Sequence, residues 1–207
     1  MNTKMKKMLQ NSVQLLFLVL FSILIMKGKV QIWIGIFLAS MLLGMFFGRF
    51  YCGWLCPINT VLRAITKIKA NLGIKSLHIP SFLKSRYIKY GFLAAFIAAF
   101  IYVMNTGKKL PVLPSLLIVG AAITALFSES LWHRNLCPYG TILSLTSKKA
   151  VKSLKIASDK CINCGICMKV CPADAVVKEK THGIDKSLCL LCMDCIYKCP
   201  KKAIEFK

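Results

Sequence analysis

The sequence predicts an all-α polytopic membrane bundle of four transmembrane helices, a duplicated hairpin, followed by a small α+β domain. Three observations predict it. The 207-residue chain is 57% hydrophobic with a mean hydropathy of +0.62, too apolar for an ordinary soluble domain. Four apolar stretches precede residue 130. Finally, "YCGWLCPINTVLRAITK" (51–67) returns in altered form 81 residues later as "WHRNLCPYGTILSLTSK" (132–148). The spacing places the membrane part at 1–150 and the small domain at 151–207.

The apolar stretches are Met8–Met26, Val30–Phe47, Ile88–Met104 and Val112–Phe127, each near the short end of what crosses a bilayer. No small-residue cleavage site follows Met26, so the first reads as a retained span rather than a signal peptide. The formal charge of +22 is unevenly spread: residues 1–158 hold 20 Lys and Arg against a single acid, Glu129. A basic excess that belongs to the apolar part reports membrane orientation, not nucleic-acid binding. Lys4, Lys6 and Lys7, the 49–89 loop, and Arg134 with Lys148–Lys155 outweigh the loops holding Lys27 with Lys29 and Lys108 with Lys109. Both termini and the small domain are therefore expected on the cytoplasmic side of the inner membrane. Trp33, Trp54 and Trp132 are expected near the interfaces, and Arg49 and Arg134 as orienting charges. After each Cys-Pro the chain is amphipathic, with Ile58, Val61, Leu62, Ile65 and Ile68 on one face.

The last fifty residues carry the most specific signal. "CINCGICMKVCP" (161–172) and "CLLCMDCIYKCP" (189–200) both fit C-x2-C-x2-C-x3-C-P, at an offset of 28. Eleven cysteines, mostly in C-x-x-C spacing, argue against a disulfide framework and for metal in a reducing compartment. Soft thiolates so spaced suit an iron–sulfur cube, with zinc as the weaker alternative. In two-cluster chains of this pattern the fourth cysteine crosses over. Cluster I is thus assigned Cys161, Cys164, Cys167 and Cys199, and cluster II Cys189, Cys192, Cys195 and Cys171. The domain resembles bacterial two-cluster 4Fe-4S ferredoxins. Each half ends in a strand-like run, "DAVVKE" or "KAIEF", while His78 and His182 show no partner in the sequence.

Three cysteines remain, Cys52, Cys56 and Cys137, all in the repeat, where His133 aligns with Cys52. Positions four apart share a helical face, so Cys52 with Cys56, and His133 with Cys137, form two ligand edges. Three roles stand open: a third iron–sulfur or other metal centre, a redox-active thiol set led by Cys52 and Cys56, or structural helix ends. Glu129 reads either as a proton relay or as a partner for a nearby arginine.

The whole chain resembles the NapH-type membrane-bound 4Fe-4S ferredoxin family, with four spans, two C-x3-C-P motifs and a C-terminal two-cluster domain. The membrane module also resembles parts of NosR-type and CcoG-type proteins. In the family pattern both motifs begin with Cys; here His133 begins the second. The resemblance implies an electron-transfer subunit of an oxidoreductase system rather than a stand-alone enzyme. It would link the quinone pool, or another membrane donor, to a partner redox protein. A metal-reducing assembly or maturation factor for another metalloenzyme is the alternative.

Overall fold

The computed structural model describes residues 3–29, 31–106, 112–178 and 182–206. Lys108 and Lys109, part of the orientation argument, lie outside the described residues, as does the side chain of Lys4. Ten helices run in chain order: α1 (Thr3–Met26), α2 (Gln31–Phe47), α3 (Phe50–Trp54), α4 (Pro57–Asn71), α5 (Arg86–Thr106), α6 (Val112–Leu126), α7 (Glu129–Leu131), α8 (Pro138–Ser147), α9 (Ile166–Lys169) and α10 (Asp194–Lys198). Among the described residues there are also a 3-10 turn (Ser81–Lys84), a π-helical turn (Trp132–Leu136) and four three-residue strands, β1 (Leu154–Ile156), β2 (Val176–Lys178), β3 (His182–Ile184) and β4 (Ile204–Phe206).

The long helices follow from runs rich in Leu, Ile, Phe and Ala, in which each backbone bond is satisfied within the segment. Helix α1 stops where Gly28 takes a φ of +65°, which a side chain would oppose. Lys29 N then reaches Leu24 O at 2.9 Å and Gly28 N reaches Ile25 O at 3.0 Å, satisfying carbonyls the helix end leaves open. Among the described residues two helices are long and apolar enough to cross a membrane, Met5–Met26 of α1 and Arg86–Val103 of α5, and none of the α5 window is buried. Helices α2 and α6, with 17 and 15 residues, are shorter.

The chain divides into two compact units, residues 1–60 with 143–207, and residues 61–142. In the first unit the N-terminal hairpin and the cysteine-rich lobe pack together. Trp33 on α2 lies against Phe21 (5.0 Å between ring centres) and donates to Tyr51 Oη at 2.7 Å. It is a buried packing residue, not the interface anchor its position in the sequence suggests. In the lobe β1 pairs antiparallel with β4, Leu154 facing Phe206, and β2 pairs with β3, Val176 facing Ile184. The two strand-like runs are β2 and β4; their partners β1 and β3 were not singled out in the sequence.

In the second unit, Trp132 is buried beside Gly120, where a Cβ would come within 3.0 Å of its ring, and packs edge-on to Phe92. Lys69 on α4 is buried too. Its Nζ donates to Thr124 O at 2.9 Å, Phe127 O at 3.2 Å and Ser76 Oγ at 3.0 Å. It closes the carbonyl end of α6, where a cation also meets the negative pole of the helix. Lys69→Ala is expected to destabilise this unit by about 1.5–3 kcal/mol, the range for hydrogen bonds to charged groups. Denaturation in detergent would check it; a midpoint equal to wild type would show the cap idle.

Candidate metal centres

The cysteine-rich lobe is built twice on one plan. Asn163 and Leu191 have φ of +53°, Gly165 and Met193 +72° and +61°, and Asp174 and Lys202 +47° and +49°. Each pair is related by the offset of 28. Left-handed geometry at Leu and Met costs about 1–2 kcal/mol per residue, and such strain persists where surroundings over-determine it. Here the turns wrap the C-x2-C loops around two cavities. One is lined by Cys161, Cys164, Cys167 and Cys199, with Ile156, Ile166 and Ala203 among its apolar walls. The other is lined by Cys171, Cys189, Cys192 and Cys195, with Leu154, Val176 and Ile184. In each cavity, three cysteines come from one motif and the fourth from the other.

The crossing cysteines are held alike. Ala175 N donates to Cys171 Sγ at 3.2 Å and Ala203 N to Cys199 Sγ at 3.4 Å, again 28 residues apart. Burial pushes the Cys189 thiol up to about 11; the Leu191 backbone N–H and the Arg49 charge pull it down, Cys171 and Asp185 up. Cys195 is raised by burial and then by Cys192, Cys189 and Cys171. Cys167 is raised by burial, against backbone hydrogen bonds, with Cys161 and Cys164 adding to the rise. These mutual charges join the same cysteines that line each cavity. Thiols so raised are protonated at neutral pH, so iron binding has to release their protons.

Among the described residues no three His, Cys, Asp or Glu side chains converge on a point as a single-ion site requires. The cysteines ring apolar spaces instead, which fits an iron–sulfur cube better than one zinc ion. His182, partnerless in the sequence, is buried; its Nδ1 lies 2.9 Å from Asn163 Oδ1, and it lines the cavity of Cys161.

The second cavity's loop is docked on helix α3, between the two cysteines of the first Cys-Pro motif. Gly53 has no room for a Cβ: one would clash with Leu190 O and lie 3.1 Å from Leu191 C and 3.2 Å from Cys192 N. Trp54 Nε1 donates to Leu191 O at 3.1 Å, and its ring stacks on Phe50, which joins the lobe's core. From α1, Gln10 and Gln14 donate to Gly53 O at 3.0 and 2.8 Å. Lys7 pairs with Asp194 at 2.6 Å. Arg49, an orienting charge by its sequence, is 1% exposed. Its Nη1 lies 3.4 Å from both Ser187 O and Leu188 O, and its Nη2 lies 3.9 Å from Cys52 Sγ. The sequence signal for this docking lies in the repeat itself. Ser130 and Arg134 stand in the second copy where Arg49 and Gly53 stand in the first.

Cys52 and Cys56 belong to the first unit, His133 and Cys137 to the second, and all four are buried. The two turns share one local geometry. Cys56 N bonds to Tyr51 O at 2.9 Å and Cys137 N to Trp132 O at 2.8 Å, each reaching back five residues. This is π-helical closure, formed outright over Trp132–Leu136, a local form common at functional sites. The regular four-residue spacing expected of each ligand edge is widened accordingly. Cys137 is extended (φ −75°, ψ 111°), as the following proline requires. Thr60 Oγ1 and Thr141 Oγ1 donate to the carbonyls of Cys56 and Cys137 at 3.2 and 3.1 Å. Asn59, two residues after Pro57's cysteine turn begins the helix, is 1% exposed, and its amide has no hydrogen-bond partner among the described residues. Glu129 accepts from Thr66 Oγ1 at 3.1 Å.

Comparison with known proteins gives the same chemistry. A profile described as a 4Fe-4S binding domain matches residues 29–75, which include Cys52 and Cys56. Two described as 4Fe-4S dicluster domains match 160–204 and 134–175. An uncharacterised protein of Methanocaldococcus jannaschii is 28% identical, over 77% of this chain and 64% of its own length. The ferredoxin-type protein NapH of Haemophilus influenzae is 29% identical, over 76% of this chain and 62% of its own. A putative electron transport protein, YccM, of Escherichia coli is 27% identical, over 78% of this chain and 52% of its own. The chain thus spans less than two thirds of each of these relatives. No solved structure matches it.

Proposed function

We infer, from a chain that belongs with the NapH-type 4Fe-4S ferredoxin-type proteins, that it carries electrons between a membrane donor and a partner redox protein. The donor on this reading is the quinone pool. Two 4Fe-4S clusters are held by Cys161, Cys164, Cys167 and Cys199, and by Cys189, Cys192, Cys195 and Cys171. The observation that carries this reading is the pair of cavities, each lined by four cysteines in the crossed arrangement. When bound, such a cluster accepts and gives up single electrons, at a potential set by charge, hydrogen bonds and exposure. The chain contributes the thiolates, the Ala175 and Ala203 N–H groups on the crossing sulfurs, and an apolar wall that limits water.

The same reading makes the protein multi-pass in the inner membrane, with α1, α2, α5 and α6 as spans and both termini and the lobe cytoplasmic. Supporting it, apolar side chains such as Leu38, Leu42, Phe46 and Ile118 are exposed on the two shorter helices. At 1.5 Å per residue α2 and α6 reach about 25 and 22 Å, short of a core of about 30 Å. Local thinning accommodates a shortfall of that kind.

Cys52, Cys56, His133 and Cys137 are proposed to hold a third iron–sulfur or other metal centre. Its support is the sequence repeat, the shared π-type turn, and the orphaned Asn59 amide beside the first turn. The alternative, a factor that reduces metal ions for insertion into another enzyme, draws on the same three thiols. Iron and acid-labile sulfide on anaerobically purified protein test these readings. Two clusters alone predict about eight irons per chain. More than that, falling to about eight in His133→Ala, is expected if the third centre exists. About eight in both would remove it and leave the electron-transfer reading standing. Far fewer than eight in wild type would sink the two-cluster reading itself.

A further inference from the structure

The two cavities of the lobe differ in surroundings. Around the first, Cys164 is exposed and Cys161, Cys167 and Cys199 are partly so, and the cations lining it, Lys160 and Lys201, reach solvent. Around the second, Cys192 and Cys195 are buried and Cys171 and Cys189 partly so, and a guanidinium is sealed against its loop. Exposed lysines are screened by water and salt; a buried guanidinium is not. A buried cation is costly unless negative charge or well-placed acceptors compensate it. Two backbone carbonyls and the Cys52 sulfur do part of this for Arg49.

We propose that Arg49 is a positioning residue for the second cluster. It fixes the 187–192 loop against the first Cys-Pro turn, raises that cluster's reduction potential, and makes it the proximal centre, the cluster at Cys161 being distal. The proposal deepens the electron-transfer reading and rests on it. The guanidinium stabilises whichever state of its neighbour carries the extra electron, as Coulomb attraction at short range demands. Its position between Cys52 Sγ and the backbone before Cys189 orders the path: Cys-Pro turn, buried cluster, exposed cluster, partner. Asp185 opposes Arg49, since its charge also reaches Cys189. Its Oδ1, however, is engaged by Ser187 N at 2.8 Å and Ser187 Oγ at 2.7 Å, whereas Arg49 is a buried full charge held on the backbone just before Cys189.

The test is a potentiometric titration, followed by electron paramagnetic resonance, on full-length protein whose iron content is measured first. In Arg49→Gln one of the two cluster signals is expected to lose about tenfold in its reduction equilibrium, or 59 mV for a one-electron couple. The other signal should move by less than about twofold, as expected of a centre whose cations are solvent-screened. Cys161→Ala, which removes a ligand of the other cluster, identifies the signal that moved. Arg49→Lys keeps the charge without the fork, and is expected to restore most of the potential. It also carries the test if Arg49→Gln does not accumulate with iron: a tenfold loss in the lysine variant would overturn the role of charge. Full iron with both signals unmoved, or both moved equally, would overturn the proposal while leaving the electron-transfer reading intact. Absence of cluster signals in wild type would instead overturn that reading.

Discussion

Gly53→Ala is expected to loosen the cysteine-rich lobe from the N-terminal hairpin. The added methyl would collide with the Leu190 carbonyl and crowd the Leu191 and Cys192 backbone, so a main chain has to move rather than a side-chain tip. Retreat is opposed from the far side, where Gln10 and Gln14 hold Gly53 O. Overpacking against well-packed neighbours costs about 1–3 kcal/mol, and a contact of backbone on backbone belongs at the upper end. Faster tryptic cleavage across Lys148–Lys155 is expected, with reduction of the clusters by a membrane donor at least about tenfold slower, the factor worth 1.4 kcal/mol. Wild-type protease resistance and rate in this variant would mean that the docking has no part in electron entry.

The crossed ligand sets make a prediction that reads out in whole clusters. Cys161 and Cys199 lie in different motifs but line one cavity. The double variant Cys161→Ala/Cys199→Ala is therefore expected to keep about four irons, one cube. Cys161→Ala/Cys171→Ala, two ligands of a single motif, is expected to lose nearly all iron, because Cys171 lines the other cavity. If each motif closed its own cluster, the outcomes would exchange, and one iron assay distinguishes them. The lobe's pairing geometry favours crossing. The residue after each third cysteine continues in a short helix, α9 or α10, which carries the fourth away from the loop it follows.

The grouping of the cysteines was legible in the residues because it is short-range: thiols that line one cavity recur at fixed intervals, and apolar runs announce themselves by composition. The repeat over 51–67 and 132–148 likewise anticipated two matching turns, but not their five-residue closure at Cys56 and Cys137, where four-residue helical spacing was expected. Burial was not legible, because it depends on partners far along the chain. Arg49 and Lys7 read as orienting charges, yet one is sealed against residues 187 and 188 and the other is paired with Asp194. Lys69 reads as one more loop cation and proves to close a helix. Trp33 reads as an interface aromatic and is packed beneath Phe21. Strand β1 was not singled out in the sequence; its partner is β4, some fifty positions on.

The sequence by itself thus determined which cysteines recur at the spacing of a ligating motif, how often that motif repeats, and which segments are apolar. Only the tertiary structure decided which cluster's loop lies against a Cys-Pro turn and which charge is buried beside it. Spacing constrains neighbours along the chain, whereas the potential of a buried charge depends on neighbours in space, and those are set by docking of α3 on the 190–192 backbone.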